Sequence, residues 1–176
     1  MDILSYLLGK SSSGGGSDIS EYFDKIKSGN ANAPGILNSI LKVPPLAMTG
    51  TSCNYMYSRL QNATEIDCSL LDTSNVTTMN GMFNGCYALK RLDLSNLYTP
   101  NVTNMQSIFN NCIALEFLDI RNFTFGLVSS GSFSSAFQYV PNDCLIIVKD
   151  DTEKQYIVNA YSNLTNVKTV EEYEGS

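Results

Sequence analysis

The chain has 176 residues, with 17 Asp and Glu against 11 Lys and Arg, no histidine and no tryptophan. That length suits one domain with a modest extra segment. Without histidine there is no Ser–His–Asp or Cys–His nucleophile pair and no His-containing metal signature, and without a Lys/Arg cluster nucleic acid and an anionic membrane are poor partners. No stretch approaches 18 consecutive apolar residues, so no membrane insertion is expected.

Residues 1–10, MDILSYLLGK, place Ile3, Leu4, Leu7 and Leu8 at helical spacing and predict a short amphipathic docking helix. Asp2 stands where a secretory signal would carry basic residues, and the apolar run is too short for one. Export by the general secretory route is therefore not expected. Residues 11–18 open with SSSGGGS and predict a flexible linker. A helix that short is unstable alone, so it either frays or folds on a partner in a larger assembly. Residues 19–45 predict a helical N-terminal cap, with helices over Ile19–Lys27 and Gly35–Lys42, the second punctuated by Pro34, Pro44 and Pro45.

Residues 46–142 repeat themselves. Residues 72–97 (DTSNVTTMNGMFNGCYALKRLDLSNL) and 98–123 (YTPNVTNMQSIFNNCIALEFLDIRNF) agree at 13 of 26 positions. A weaker copy spans 46–71, a degenerate one precedes it, and Phe137, Val140 and Ile146 echo Phe109, Cys112 and Leu118 after it. Val76, Met79, Phe83 and Cys86 are spaced 3, 4, 3, which predicts a short helix or helical turn. Asn75 stands at its start as an N-cap, and Gly85 and Asn111 near its end tolerate a left-handed backbone. Leu92-Asp93-Leu94 then reads in, out, in, a three-residue strand. Stacked copies would pair these strands in parallel and bury a core that no single copy can.

The five cysteines follow the repeat. Cys86 and Cys112 fill the slot held by Leu60, Cys53 aligns with Met79 and Met105, and Cys68 aligns with Leu94 and Ile120. Cys144 opens the apolar run CLIIV. All five are expected to be free thiols acting as small hydrophobes. Residues 143–176 predict a C-terminal cap, with strands over Cys144–Val148 and Asn166–Val170. A helix between them, over Asp151–Ala160, has Asp150 and Asp151 at its positive end.

Asp67, Asp93 and Asp119 take the outward position of three successive strands and would form a carboxylate column. It is either a cation-binding ridge or a set of turn caps. Recurrence with the fold unit favours caps. Recognition is better sought where copies differ. Glu65, Arg91 and Phe117 form one row and Ser69, Ser95 and Arg121 another, with Tyr87, Lys90 and Glu116 nearby. They make a polar-aromatic face suited to a protein or glycan. The Asn-X-Ser/Thr patterns at Asn62, Asn75, Asn101, Asn122 and Asn163 are not expected to carry glycan. With no phosphate-binding Gly loop and no catalytic pair, neither a cofactor nor an enzymatic activity is expected.

The repeat resembles the BspA-like bacterial leucine-rich-repeat surface proteins, whose 26-residue unit is similar to D-T-S-N-V-T-x-M-x-x-M-F-x-x-C-x-x-L-x-x-L-D-L-S-x-F. Here it runs through Asp72-Thr73-Ser74-Asn75-Val76-Thr77, Met79, Met82-Phe83, Cys86, Leu89 and Leu92-Asp93-Leu94-Ser95. The resemblance is close over 72–123 and looser over 46–71. It implies an α/β leucine-rich-repeat solenoid and a non-enzymatic surface or adhesion module. The opening MDILSYLLGK–SSSGGGS and the ending from Val140 resemble structural proteins of bacteriophages and prophages. That likeness implies a virion-associated protein bound to other virion proteins through its N-terminal segment, with a bacterial cell-surface adhesin or a purely structural decoration protein as the alternatives.

Overall fold

The structure, a computed structural model, describes residues 42–43 and 50–175. The docking helix with Ile3, Leu4, Leu7 and Leu8, the linker and most of the N-terminal cap lie outside the described residues. Among the described residues the architecture is α/β, all-parallel in its strands, with few and short helices. Strands β1 (Lys42–Val43) and β2 (Glu65–Ile66) form one pair. Strands β3 (Arg91–Asp93), β4 (Phe117–Asp119), β5 (Leu145–Val148) and β6 (Val167–Thr169) form a four-stranded sheet in that order. Lys42 thus belongs to a strand, not to the end of the helix expected over Gly35–Lys42; the rest of that span is outside the described residues.

Sheet register follows the repeat. Leu92 pairs with Leu118 and Leu118 with Ile146, all fully buried, so the inward residue of each strand stacks on the next. Each strand begins one residue before the expected Leu92–Leu94 span, at Arg91 and Phe117.

The other half of each copy corrects the sequence reading. Residues 76–86 form no helix: Thr78 makes isolated parallel bridges with Ser52 and Asn104, and residues 80–85 form turns. Met79, Gly81, Phe83 and Gly85 donate their backbone N–H groups to the carbonyls of Asn104, Gln106, Ile108 and Asn110 in the next copy, at 2.8–2.9 Å. The preceding copy does the same from Cys53, Tyr55, Tyr57 and Arg59, and the following one from Met105, Ser107, Phe109 and Asn111. Donors spent between copies cannot close i→i−4 bonds, so the 3, 4, 3 apolar spacing serves a turn ladder instead. Left-handed backbone recurs at Tyr55, Gly81, Ser107 and Ser135 and again at Arg59, Gly85, Asn111 and Tyr139. Gly85 and Asn111 are therefore left-handed as their residue types foretold. Asn75 caps no helix; it lies inside a turn that Val76 N–H closes by donating to the Thr73 carbonyl.

The core lies between ladder and sheet. Tyr57, Phe83, Phe109 and Phe137 form an aromatic column with centroids 5.5, 5.8 and 5.3 Å apart. Removing one such ring would cost about 3–5 kcal/mol. All five cysteines are buried and free. The Cys86 and Cys112 thiols donate to the carbonyls of Tyr57 and Phe83 in the copy before.

Beyond β5 comes helix α1 (Asp151–Ala160), as the sequence predicts. Asp150 caps it, accepting from the N–H groups of Thr152 and Glu153. Its inward face packs on the core: Tyr156 lies flat on Phe125, and the Tyr156 and Tyr161 hydroxyls donate to the carbonyls of Val128 and Phe133. Val170 ends no strand. It starts a second helix, α2 (Val170–Glu174), behind a Thr169–Glu172 capping box.

Candidate functional site

The strand face carries the residues that vary between copies. Arg91 on β3 and Phe117 on β4 are register partners, and the guanidinium carbon stands 3.6 Å from the Phe117 ring centroid. A cation seated on a ring face is attracted by the ring's quadrupole. Lys90 and Glu116 pair beside them at 3.0 Å, both well exposed. Leu145 continues the row on β5, half-buried.

The carboxylate column does not act as one group. Asp67, Asp93 and Asp119 each accept the backbone N–H two residues on, from Ser69, Ser95 and Arg121, at 2.8–3.1 Å. These are turn caps, as recurrence with the fold unit suggested. Asp119 is buried and is also chelated by Arg121, whose Nε reaches both carboxylate oxygens and whose Nη2 lies 2.7 Å from Oδ2. This pairing raises the Arg121 pKa. Partial burial pushes Asp93 upward, but the Ser95 hydroxyl and N–H, with Arg91 and Arg121, outweigh it and hold its carboxyl below the usual range. Among the described residues no group of three or more Cys, Asp or Glu stands close enough to hold a metal ion.

Of the face residues read from the sequence, Arg91, Phe117 and Arg121 belong to the β3–β4 face, while Glu65 and Tyr87 stand on other elements. Arg91 and Phe117 touch. Arg121 follows β4 but is committed to Asp119. Glu65 is exposed on β2, in the separate two-stranded sheet. Tyr87 is 40% exposed in the turn before β3 and holds the repeat position that Ile113, 54% exposed, holds in the next copy.

Sequence reasoning missed a third element at this face. α2 brings Tyr173 to the Phe117 ring, at 6.4 Å between centroids, and Glu174 Oε1 to 2.9 Å from Arg121 Nη1. Lys154 of α1 anchors α2 through both oxygens of Glu172, at 2.7 Å, which lowers the Glu172 pKa. The signal was present as Thr169-x-x-Glu172, a capping box read instead as the end of a strand.

Among the described residues no helix is long and apolar enough to cross a membrane. No curated protein and no solved structure matches the chain. The family model described as "Mycoplasma protein of unknown function, DUF285" matches residues 51–169, which take in the turn ladder and all of the four-stranded sheet. The match covers more than half of the chain, and the protein belongs to that family.

Proposed function

We propose that the chain is a non-catalytic recognition module, built as a leucine-rich-repeat solenoid of the BspA-like type. It is carried on a phage virion as a tail, baseplate or head-decoration protein, and its strand face contacts a host-surface protein or glycan. The observation that carries this reading is the Arg91–Phe117 pair, in register on adjacent strands and open to solvent on the arginine side. It sits where copies differ, while the inward Leu92, Leu118 and Ile146 hold one apolar pattern. The solenoid reading is supported by hydrogen bonds that join equivalent turns of successive copies. Ile3, Leu4, Leu7 and Leu8 would attach the module to other virion proteins.

Deleting residues 1–17 should leave the thermal transition in place and abolish incorporation into particles; undiminished incorporation would overturn the docking-helix reading. The isolated protein should bind host cells, and Arg91→Glu or Phe117→Ala should weaken that binding at least tenfold. Incorporation without any host binding would make the protein a structural decoration only. A second reading, a bacterial cell-surface adhesin, is favoured by the family description, which names Mycoplasma. Finding the native protein on cells rather than in particles would select it.

A further inference from the structure

α2 has five residues, too few for a stable isolated helix, and none of them is buried. It nevertheless lies on the strand face where β4 presents Phe117 and the turn after it presents Arg121. Two consecutive side chains make the contact. Tyr173 meets an aromatic ring that already carries Arg91 on it, and Glu174 meets a guanidinium held rigid by Asp119. An aromatic residue followed directly by a carboxylate is thus matched by an aromatic ring, a stacked cation and a fixed second cation. The acids on this face are already engaged: Asp93 lies 3.9 Å from Arg91, and Glu116 pairs with Lys90.

The ion pairs of α2 are each open to solvent on the α2 side and half-buried on the other, where Arg121 and Lys154 are 28% exposed. Glu174 is 60% exposed in its pair with Arg121, and Glu172 is 46% exposed in its pair with Lys154. Pairs with one partner open to solvent typically contribute about 1 kcal/mol each.

We propose that Arg91, Phe117 and Arg121 form a docking site for an aromatic–acidic peptide segment of a protein partner. In this protein Tyr173-Glu174 occupy that site as a displaceable internal ligand. The proposal rests on reading the strand face as a recognition surface and narrows its partner to this chemistry. A tethered segment faces its site at an effective concentration on the order of millimolar, so it masks the site against weak ligands in solution.

The test uses the full chain and a Tyr173→Ala/Glu174→Gln variant, which keeps the capping box and the Lys154–Glu172 pair. Each is titrated with the synthetic peptide VEEYEG, residues 170–175, and followed by amide chemical shifts. The peptide should shift the amides of Arg91, Phe117 and Arg121 in the variant, with an affinity at least fivefold tighter than for the unaltered chain. Adding Phe117→Ala or Arg121→Ala to the variant should abolish the shifts, and VEEAQG should produce none. Equal affinity for both proteins, no binding to the variant, shifts mapping elsewhere or equal binding of VEEAQG would each overturn the proposal. The readout is peptide binding to the isolated chain, so it fails or succeeds independently of host-cell binding and particle incorporation.

Discussion

The Tyr55 ring lies across Gly81: a Cβ at Gly81 would clash with Tyr55 Cε1, and Gly81 has φ +59°. The two residues occupy equivalent positions in successive copies, and Asn80 donates to the Tyr55 hydroxyl at 3.1 Å. Gly85 is also left-handed, at φ +78°, but a Cβ there would meet nothing closer than 3.6 Å. Gly85→Ala should therefore cost only the backbone strain, about 1 kcal/mol, and Gly81→Ala about 2–3 kcal/mol. Urea denaturation gives both values. In the double variant Tyr55→Ala/Gly81→Ala the two changes should couple by about 1 kcal/mol or more, because the clash disappears. Strict additivity would mean that the ring moves aside freely.

Arg121 should matter for stability as well as for the surface it presents. Its side chain is 28% exposed, while that of Asp119 is 4% exposed. Arg121→Ala leaves a buried carboxylate with its backbone donor alone and should cost about 3 kcal/mol. Arg121→Lys keeps the charge but loses the planar fork, and should recover only part of that. Asp119→Asn combined with Arg121→Met should be more stable than Arg121→Ala. Glu174→Gln, which breaks only the exposed arm, should cost less than about 0.5 kcal/mol.

The thiols should be silent in the folded protein. Burial pushes Cys53, Cys86 and Cys144 up to about 12 and raises Cys68 and Cys112 as well. The thiolate is the reactive form. Ellman's reagent at pH 8 should titrate no thiol in the native protein and all five after denaturation. A rapidly reacting cysteine in the native state would show that the turn ladder opens around it.

Glu153 should give the stability a pH dependence of its own. Its carboxylate accepts the Phe125 N–H from inside the α1 interface. Burial raises its pKa above 4.5, Asp150 adds to the rise, and the Phe125 N–H and Lys149 oppose it. A carboxyl whose folded pKa lies above its unfolded value contributes stability below the unfolded value and loses it as pH rises through the folded one. Glu153→Gln keeps an acceptor for Phe125 and removes the charge. The variant should melt higher than the parent at pH 7, with the difference vanishing toward pH 4. A difference independent of pH would show that burial does not govern this carboxyl.

Much of the fold was legible because the repeat writes each inward position several times. Leu92, Leu118 and Ile146 identify their own strand register, and Cys86 and Cys112 their rung, without any structure. Asp150 before a periodic stretch was enough to place α1. The turn ladder was not legible. A 3, 4, 3 apolar spacing suits a helix and a chain of turns equally, and the difference lies in where the N–H groups go. That partner is another copy, 25 residues away for Met79 and Asn104.

The sequence by itself determined the period, the apolar rungs, the free cysteines and the turn-capping role of Asp67, Asp93 and Asp119, since each depends on local spacing repeated in register. Only the tertiary structure decided that Arg91 rests on Phe117 and that Arg121 chelates Asp119. It alone decided that Tyr173 and Glu174, about fifty residues further along, lie on the same face. Contacts between residues so distant in the chain are chosen by packing and charge pairing in three dimensions, which no local pattern encodes.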